Sequence, residues 1–396
     1  MLPFDDALRS ILEAAELIGS ERIALRFAAG RVLAEDVIAH TPLPTFDYSA
    51  MDGYAVRSAE FQGDGPWAWP VRGESRAGAG ADSLASKSTC RIFTGAPIPA
   101  GADAVVMQED VSRDGDSARF EERPRAGAHI RRRGEDMAEG ALALARGTRL
   151  NGFQLGLAAA VERNELLVAR RPRVAILCTG EELRAPGSTP SPGSIPESNG
   201  PSLAALVEHA GGIAELMPRT RDDLEATQKS IREALVSSDV LLTVGGVSVG
   251  EHDLVRAALV NVGAALEFWK VQIKPGKPLA FGRFGHTRIL GLPGNPVSAQ
   301  LTFALFGMPL LRAMQGDARP VPPRGRARLA ADLPQKPGRT SFYRARLEGE
   351  LALTAHNQAS GSTASMAYAD ALVVLPAESS GAKAGESVEI IRLAEL

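Results

Sequence analysis

The sequence is poor in cysteine, with only Cys90 and Cys178 in 396 residues. They lie far apart and form no C-x-x-C pair, which argues against a disulfide framework or a zinc knuckle and fits a reducing cytoplasm. An excess of one charge is missing too. The 44 Lys plus Arg stand against 47 Asp plus Glu, a formal net charge of -3. No global basic field therefore draws in nucleic acid or an acidic membrane, and any anion must be bound locally. The N-terminus MLPFDDALRSILEAAELIG lacks the basic start and apolar block of a signal peptide. No later run reads as long enough to cross a bilayer, so a soluble, cytoplasmic protein is expected. G-x-x-x-x-G-K-[ST] and a strand-turn-helix G-x-G-x-x-G are absent, which disfavours a P-loop NTPase and an ordinary dinucleotide enzyme; H-E-x-x-H is absent as well.

What is present is modular. At this length the chain exceeds one comfortable core, and two to four domains are expected. Phe4, Leu8, Ile11, Leu12, Ala15 and Ile18 recur at helical spacing, and Gly19 is placed to end that helix. From about 42 to 136, short apolar runs are punctuated by Gly and Pro, as in RIFTGAPIPAGADAVVMQED, which reads as a small β module. A helical pattern, NGFQLGLAAAVE, returns between 137 and 170. Residues 1–41 and 137–170 are therefore grouped as a discontinuous N-terminal helical and linker domain. Residues 171–316 alternate apolar runs (VAILCTG, VLLTVGG, RILGLPG) with helical stretches. Such alternation predicts parallel strands with crossovers, hence a doubly wound parallel-sheet α/β domain whose ligands sit beyond the carboxyl ends of its strands. Residues 317–396 read as short strands and turns, a C-terminal β domain. The expected fold class is multidomain α/β.

Three turns follow strands of the α/β domain: Cys178-Thr179-Gly180-Glu181-Glu182, Val244-Gly245-Gly246-Val247-Ser248 and Gly291-Leu292-Pro293-Gly294-Asn295-Pro296. In a parallel sheet they share one edge. Gly245 and Gly246 admit positive φ and let main-chain N–H groups approach a flat or anionic ligand with no Cβ in the way, and Ser248 adds a hydroxyl. Asp253 stands where a helix N-cap is expected; it either satisfies that helix's free N–H groups or faces the ligand. Glu182, and Asp222 with Asp223 ahead of another helix, carry the same pair of readings. Several carboxylates at one sheet edge repel one another, and a divalent cation such as Mg²⁺ relieves that repulsion while bridging to phosphate oxygens. In WKVQIKPGKPLAFG, Lys270 and Lys274 are an even number of residues apart, hence on one face of an extended segment. Pro275-Gly276 then turns the chain so that Lys277 converges on them. Convergent lysines suit a phosphate or another oxyanion; the alternative is an exposed basic hairpin.

The motifs SAMDGYA (49–55), RIFTGAPIPAGADAVVMQE (91–109), IRRRGED (130–136), TGEEL (179–183), RDD (221–223), GGVSVGEHD (245–253), IKPGKP (273–278) and GLPGNPVS (291–298) stand in this order along the chain. Together they resemble the molybdopterin molybdenumtransferases, the MoeA and gephyrin E-domain family, over nearly the whole sequence. The resemblance implies a transferase of molybdenum cofactor biosynthesis, which inserts molybdenum from molybdate into the dithiolene of adenylyl-molybdopterin with Mg²⁺-dependent release of AMP. Residues 171–316 would be the molybdopterin-binding domain. Gly245, Gly246, Ser248, Gly250 and Asp253 would meet the pterin, and Glu182, Asp222 and Asp253 would hold Mg²⁺. Lys270, Lys274 and Lys277 would meet phosphate or molybdate oxygens, and Pro293 and Pro296 would shape the anion pocket.

Asp52, Thr94 and Asp136 carry over as catalytic positions of the small β module, although Asp52 before Gly53 reads equally well as a turn carboxylate. The resemblance further implies a homodimer whose cleft lies between the α/β domain of one subunit and the β module of the other. A molybdopterin adenylyltransferase and recipient molybdoenzymes would be its partners, with no nucleic acid and no membrane. Two rival readings are a molybdopterin adenylyltransferase and a non-catalytic pterin-binding scaffold. Pro196-Glu197 stand where relatives commonly show Tyr-Asp or Tyr-Asn. Arg131, Arg132 and Arg133 read as a solvated basic run or, beside Asp136, as cleft residues.

Overall fold

The computed structural model describes residues 1–80, 82–219, 223–246 and 254–396. Its α/β unit is built on a six-stranded sheet in the order Ile213–Leu216, Arg173–Cys178, Val240–Val244, Thr287–Leu292, Ala280–Phe284, Ala265–Phe268. The strands VLLTV and TRILGL are buried at every position, as continuous apolar runs covered on both faces must be. Leu203, Val207, Leu310 and Leu311 from the helical segments Asn199–His209 and Met308–Met314 pack on one face. Ile231, Ala234, Val255 and Ala258 from Leu224–Ser237 and Leu254–Asn261 pack on the other. The register pairs Cys178 with Val244 and Val244 with Leu292, so three carboxyl ends stop level with one another.

The sheet is mixed rather than wholly parallel. The first four strands run parallel, whereas Ala280–Phe284 runs antiparallel between Thr287–Leu292 and Ala265–Phe268. Phe284 pairs with Thr287 across a two-residue connection, Gly285-His286, with Gly285 at φ +55°. A loop that short permits only an antiparallel hairpin.

The opening helix spans Phe4–Glu13 and stops short of Gly19. The side chain of Arg288, buried in the sheet, takes the Ala14 carbonyl at 2.5 Å and the Glu16 carboxylate at 2.8 Å, pulling the chain out of helical geometry there. Phe4 lies edge-on to Phe306 and Phe342, each at 5.3 Å, so this helix bridges the α/β core and the C-terminal domain. Within 137–170 the helix covers only Gly152–Ala160, opened by a reciprocal capping box of Asn151 and Gln154. Leu142–Leu144 and Glu165–Ala169 are strands instead, the latter paired with Ser20–Ala24 around a core of Ala28, Leu33, Leu150 and Val168.

The small β module is a six-stranded sheet in the order Ala104–Met107, Gly53–Val56, Thr89–Ile92, Trp67–Ser75, Ser117–Phe120, Val111–Asp114. In the C-terminal domain Thr340–Glu348, Leu351–Thr354, Gly325–Leu329, Ser387–Arg392 and Ala371–Leu375 close on themselves through pairing of the first with the last. Ile273–Lys274 joins that closed sheet in parallel beside Thr340 and Ser341, tying the lysine segment to the C-terminal domain.

One helical run, Pro296–Met314, is long and apolar enough by length and composition to cross a bilayer, contrary to the expectation that no such run exists. It is 89% buried within the protein and serves as the core helix of the α/β unit. A π-helical turn at Phe303–Gly307 interrupts it; a Cβ on Gly307 would lie 2.3 Å from the Phe303 ring, so glycine is what lets the ring pack there.

Candidate functional site

The level ends of the three strands open onto one cavity of about 470 Å³. Thr179, Gly180 and Glu182 line it from the first turn, Gly245 and Gly246 from the second, and Pro293 to Pro296 from the third. The turns are fixed by main-chain bonds: Thr179 N–H donates to the Val244 carbonyl at 3.0 Å and Gly245 N–H to that of Leu292 at 3.1 Å. Gly245 and Gly246 hold φ of +87° and +62°. A Cβ on Gly245 would sit 2.9 Å from the Thr179 carbonyl oxygen, and one on Gly246 2.5 Å from Val255. These positions thus demand glycine twice over, by dihedral and by space. The result is a floor of bare backbone.

Asn199, only 6% exposed, forms part of the wall; its Nδ2 donates to the Gly294 carbonyl at 2.8 Å while its buried Oδ1 has no partner. Ser198 makes no side-chain cap to the helix Asn199–His209. Glu197 does that work, accepting from Gly200 N–H at 2.8 Å, which gives the departure from the usual Tyr-Asp a structural role. Burial, with Glu197 as the next cause, pushes the Cys178 thiol up to about 12. Asp223 likewise caps its helix, accepting from Ala226 N–H at 2.9 Å. Asp222, Ser248, Gly250 and Asp253 lie outside the described residues. Gly246-Val247-Ser248-Val249-Gly250 also spells the G-x-S-x-G of serine hydrolases, but no histidine is among the described residues lining the cavity.

None of the three lysines lines the cavity; Pro278 does. Lys274 and Lys277 are exposed on the turn that the C-terminal domain holds, and Lys270 is half-buried in a separate open recess with Met1, Leu2, Arg256 and Trp269. Only Ile273–Lys274 of this segment is in a ladder, so the even spacing of Lys270 and Lys274 does not put them on one strand face.

In the small β module Asp52 Oδ1 accepts from both the N–H and the hydroxyl of Thr94, each at 2.8 Å. The Thr94 backbone bond, then its hydroxyl, hold the Asp52 carboxyl below its ordinary value. Gly53, next in sequence, is obligatory: an added Cβ would lie 2.0 Å from the Val106 carbonyl oxygen. Asp136 is exposed, its N–H bound to the Leu43 carbonyl at 3.0 Å. Asp52, Thr94 and Asp136 do not line the α/β cavity of their own chain. The arginine run is partnered locally, Arg131 with Glu135 at 3.1 Å, Arg132 with Asp47 at 2.6 Å and Arg133 with Glu139 at 3.3 Å.

Sequence reasoning passed over Arg344. Its side chain is fully buried, donating from Nε to Ser365 Oγ at 2.9 Å and from Nη2 to the carbonyls of Asn357 and Ala359, while Nη1 has no partner. It fixes the 357–365 loop, whose Ser360 carbonyl accepts Val297 N–H at 3.1 Å in the first turn of the helix after Asn295. The signal in sequence is an arginine inside the otherwise apolar start of a strand, SFYRA.

Comparison with known proteins agrees with this architecture. Residues 2–161 match the MoeA N-terminal region (domains I and II), 175–313 a probable molybdopterin binding domain, and 326–393 the MoeA C-terminal region (domain IV). The molybdopterin molybdenumtransferase of Haemophilus influenzae is 37% identical over 402 aligned positions, covering 98% of both chains. Molybdopterin molybdenumtransferase 2 of Mycobacterium tuberculosis is 40% identical over 336 positions, covering 82% of this chain and 83% of its own. The crystal structure of the molybdopterin biosynthesis MoeA protein from Pyrococcus horikoshii superposes with a TM-score of 0.87 at 31% identity, over 99% of this chain and 100% of that one. On this agreement in sequence and fold, the chain belongs to the MoeA family of molybdopterin molybdenumtransferases.

Proposed function

We propose that this enzyme of molybdenum cofactor biosynthesis binds the pterin of adenylyl-molybdopterin in the cavity at the ends of the Cys178, Val244 and Leu292 strands. There it inserts molybdenum from molybdate into the dithiolene and releases AMP. The observation that carries the reading is the glycine floor under an orphaned, buried amide oxygen of Asn199. A flat heterocycle needs a surface without Cβ atoms and a few fixed polar groups at its edge. Lys274 and Lys277, presented on a turn anchored to the C-terminal domain, are the candidates for holding pyrophosphate or molybdate oxygens. Holding two anions side by side turns an unfavourable encounter into an intramolecular exchange, and fixed cations stabilise charge developing on the departing AMP.

The cavity suits Mg²⁺ in its chemistry. Glu182 is its described lining carboxylate, and Mg²⁺ ordinarily takes one or two carboxylates with water and phosphate oxygens rather than an all-protein cage. Among the described residues no group of three His, Cys, Asp or Glu gathers, so Glu182 would act with Asp222 and Asp253. Bound there, the ion would neutralise pyrophosphate charge.

A homodimer fits the surface of the linker module. The helix Gly152–Ala160 is apolar nearly throughout, yet Phe153 is 89% exposed, with Gly156 and Ala160 beside it. A large apolar side chain flanked by small residues on an open helix face suits burial against a second copy. In such a pair Asp52, Thr94 and Asp136 would face the partner's cavity.

The test is single-turnover reaction of adenylyl-molybdopterin with molybdate, following AMP by chromatography and ligand-bound molybdenum by metal analysis. Lys274→Ala and Asp253→Ala should each slow AMP release by more than tenfold, on the order of a lost fixed charge in the transition state. Wild-type rates in both folded variants would sink the assignment.

A further inference from the structure

The setting of Asp52 is built by Arg91 as well as by Thr94. Arg91 lies in the strand Thr89–Ile92 directly across from Tyr54 in the neighbouring strand. Its guanidinium stands 5.1 Å from the Tyr54 ring centroid and 4.9 Å from that of Phe93, a seat between two π faces that fixes a cation's plane. From that seat the fork reaches both sides of Asp52. Nη1 donates to the carbonyl of Gly53 at 3.2 Å, and Nη2 donates to Gln108 Oε1. Gln108 in turn gives its backbone N–H to the Asp52 carbonyl at 3.0 Å.

We infer that Arg91 is a positioning residue for the reaction. It clamps the main chain of the Asp52–Gly53 turn while Thr94 holds Oδ1, so that Asp52 presents Oδ2, which has no partner among the described residues, as an ionised acceptor. The inference rests on the proposed role of Asp52. Two side chains, one from the strand Thr89–Ile92 and one from the loop that follows it, converge on the same turn. Thr94 occupies Oδ1 with two bonds, and Arg91 locks the main chain on either side while placing a cation nearby. Gly53 is held in the sheet between Ile92 and Met107, and no side chain fits there, because an added Cβ would lie 2.0 Å from the Val106 carbonyl oxygen. The groups facing this turn are Arg91 from one strand, Thr94 from the loop after it, and Gln108 with Glu109 from the turn after the strand Ala104–Met107; Gln108 Nε2 donates to Glu109 Oε1 at 3.3 Å. Lysine cannot replace Arg91 fully, since an ammonium has no planar fork to span Gly53 and Gln108 at once.

Kinetics of the full chain with adenylyl-molybdopterin and molybdate test this, using Arg91→Met, Arg91→Lys and, as reference, Asp52→Asn. Arg91→Met should lower kcat about tenfold with KM unchanged, the scale of a catalytic group displaced by a fraction of an ångström. It should also move the acid limb of the kcat profile slightly upward, because the two Thr94 bonds that chiefly hold the Asp52 carboxyl down remain while the smaller contribution of the nearby cation is lost. Arg91→Lys should return the acid limb towards wild type while recovering kcat only in part. A wild-type kcat and acid limb in Arg91→Met overturns the inference; so does an equal fall in both variants with the limb unmoved, which is a packing loss. If Arg91→Met does not fold, Gln108→Leu, which leaves Arg91 in its aromatic seat, must show the same drop in kcat, and a wild-type rate there overturns the clamp. Wild-type turnover by Asp52→Asn instead defeats the role of Asp52 itself, a result separable from any outcome at Arg91.

Discussion

The glycines of the second turn decide whether the cavity exists. At Gly245 an alanine would need a left-handed φ, costing about 1–2 kcal/mol for an L-residue, and its Cβ would press on the Thr179 carbonyl at 2.9 Å. We expect Gly245→Ala to remain folded, because the strand Val240–Val244 beneath it is fully buried and untouched, yet to lose binding of molybdopterin measured by fluorescence quenching. A variant with unchanged affinity would remove the floor from the argument. Cys178 offers a second residue-scale check. With its thiol pushed up to about 12 by burial and then by Glu197, almost none is thiolate at pH 8, and Cys90 is shifted in the same direction by its own burial. Neither should take up iodoacetamide in the native protein, and both should label once urea unfolds it, as intact mass will report.

At the scale of elements, the strands were legible where one physical signal dominated. VAILC, VLLTV and RILGL are short, nearly continuous apolar runs bounded by glycine turns, the pattern of strands buried on both faces. The three turns that follow them were found from the same signal, and the structure brings them together. The reversal of the fifth strand, Ala280–Phe284, was missed because its cause is local, Gly285-His286 between Phe284 and Thr287, while strand and helix alternation was read globally. The lysine segment misled for a related reason: even spacing implies a common face only inside a ladder, and just Ile273–Lys274 belongs to one. The structural part played by Arg344 was not legible because nothing in the chain order announces that the segment it holds meets Val297.

The 130–136 segment allows a pH test at this scale. Asp47 is held below its ordinary 3.8 by the Arg133 N–H first, and by Arg132 against the cost of burial. A depressed carboxylate contributes stability above its unfolded value and loses it as pH falls through the folded one. The loop should therefore become open to an acid-active protease such as pepsin once pH falls below the ordinary carboxylate range, before the sheet of the β module does. Asp47→Asn should shift that onset to higher pH, with cleavage sites mapped by mass spectrometry.

At the scale of the whole molecule, Asp52 lies on the small β module and does not line the α/β cavity of its own chain, so in the proposed dimer it would serve the partner's cavity while Lys274 serves its own. That arrangement has a consequence which a cleft contained in one subunit cannot imitate. Asp52→Asn and Lys274→Ala are each expected to be nearly inactive as pure dimers, since every cleft then lacks one group. In a mixed dimer one cleft carries both substitutions and the other carries neither. Random exchange of equal amounts makes about half the dimers mixed, so activity should recover to about a quarter of wild type, following from two-fold symmetry alone. Phe153→Glu, placing a charge on the exposed apolar helix, should make the chain monomeric by light scattering and abolish the recovery. Activity in the mixture that stays at the level of the separate variants, with exchange verified by native mass spectrometry, would mean that each subunit works with its own residues alone.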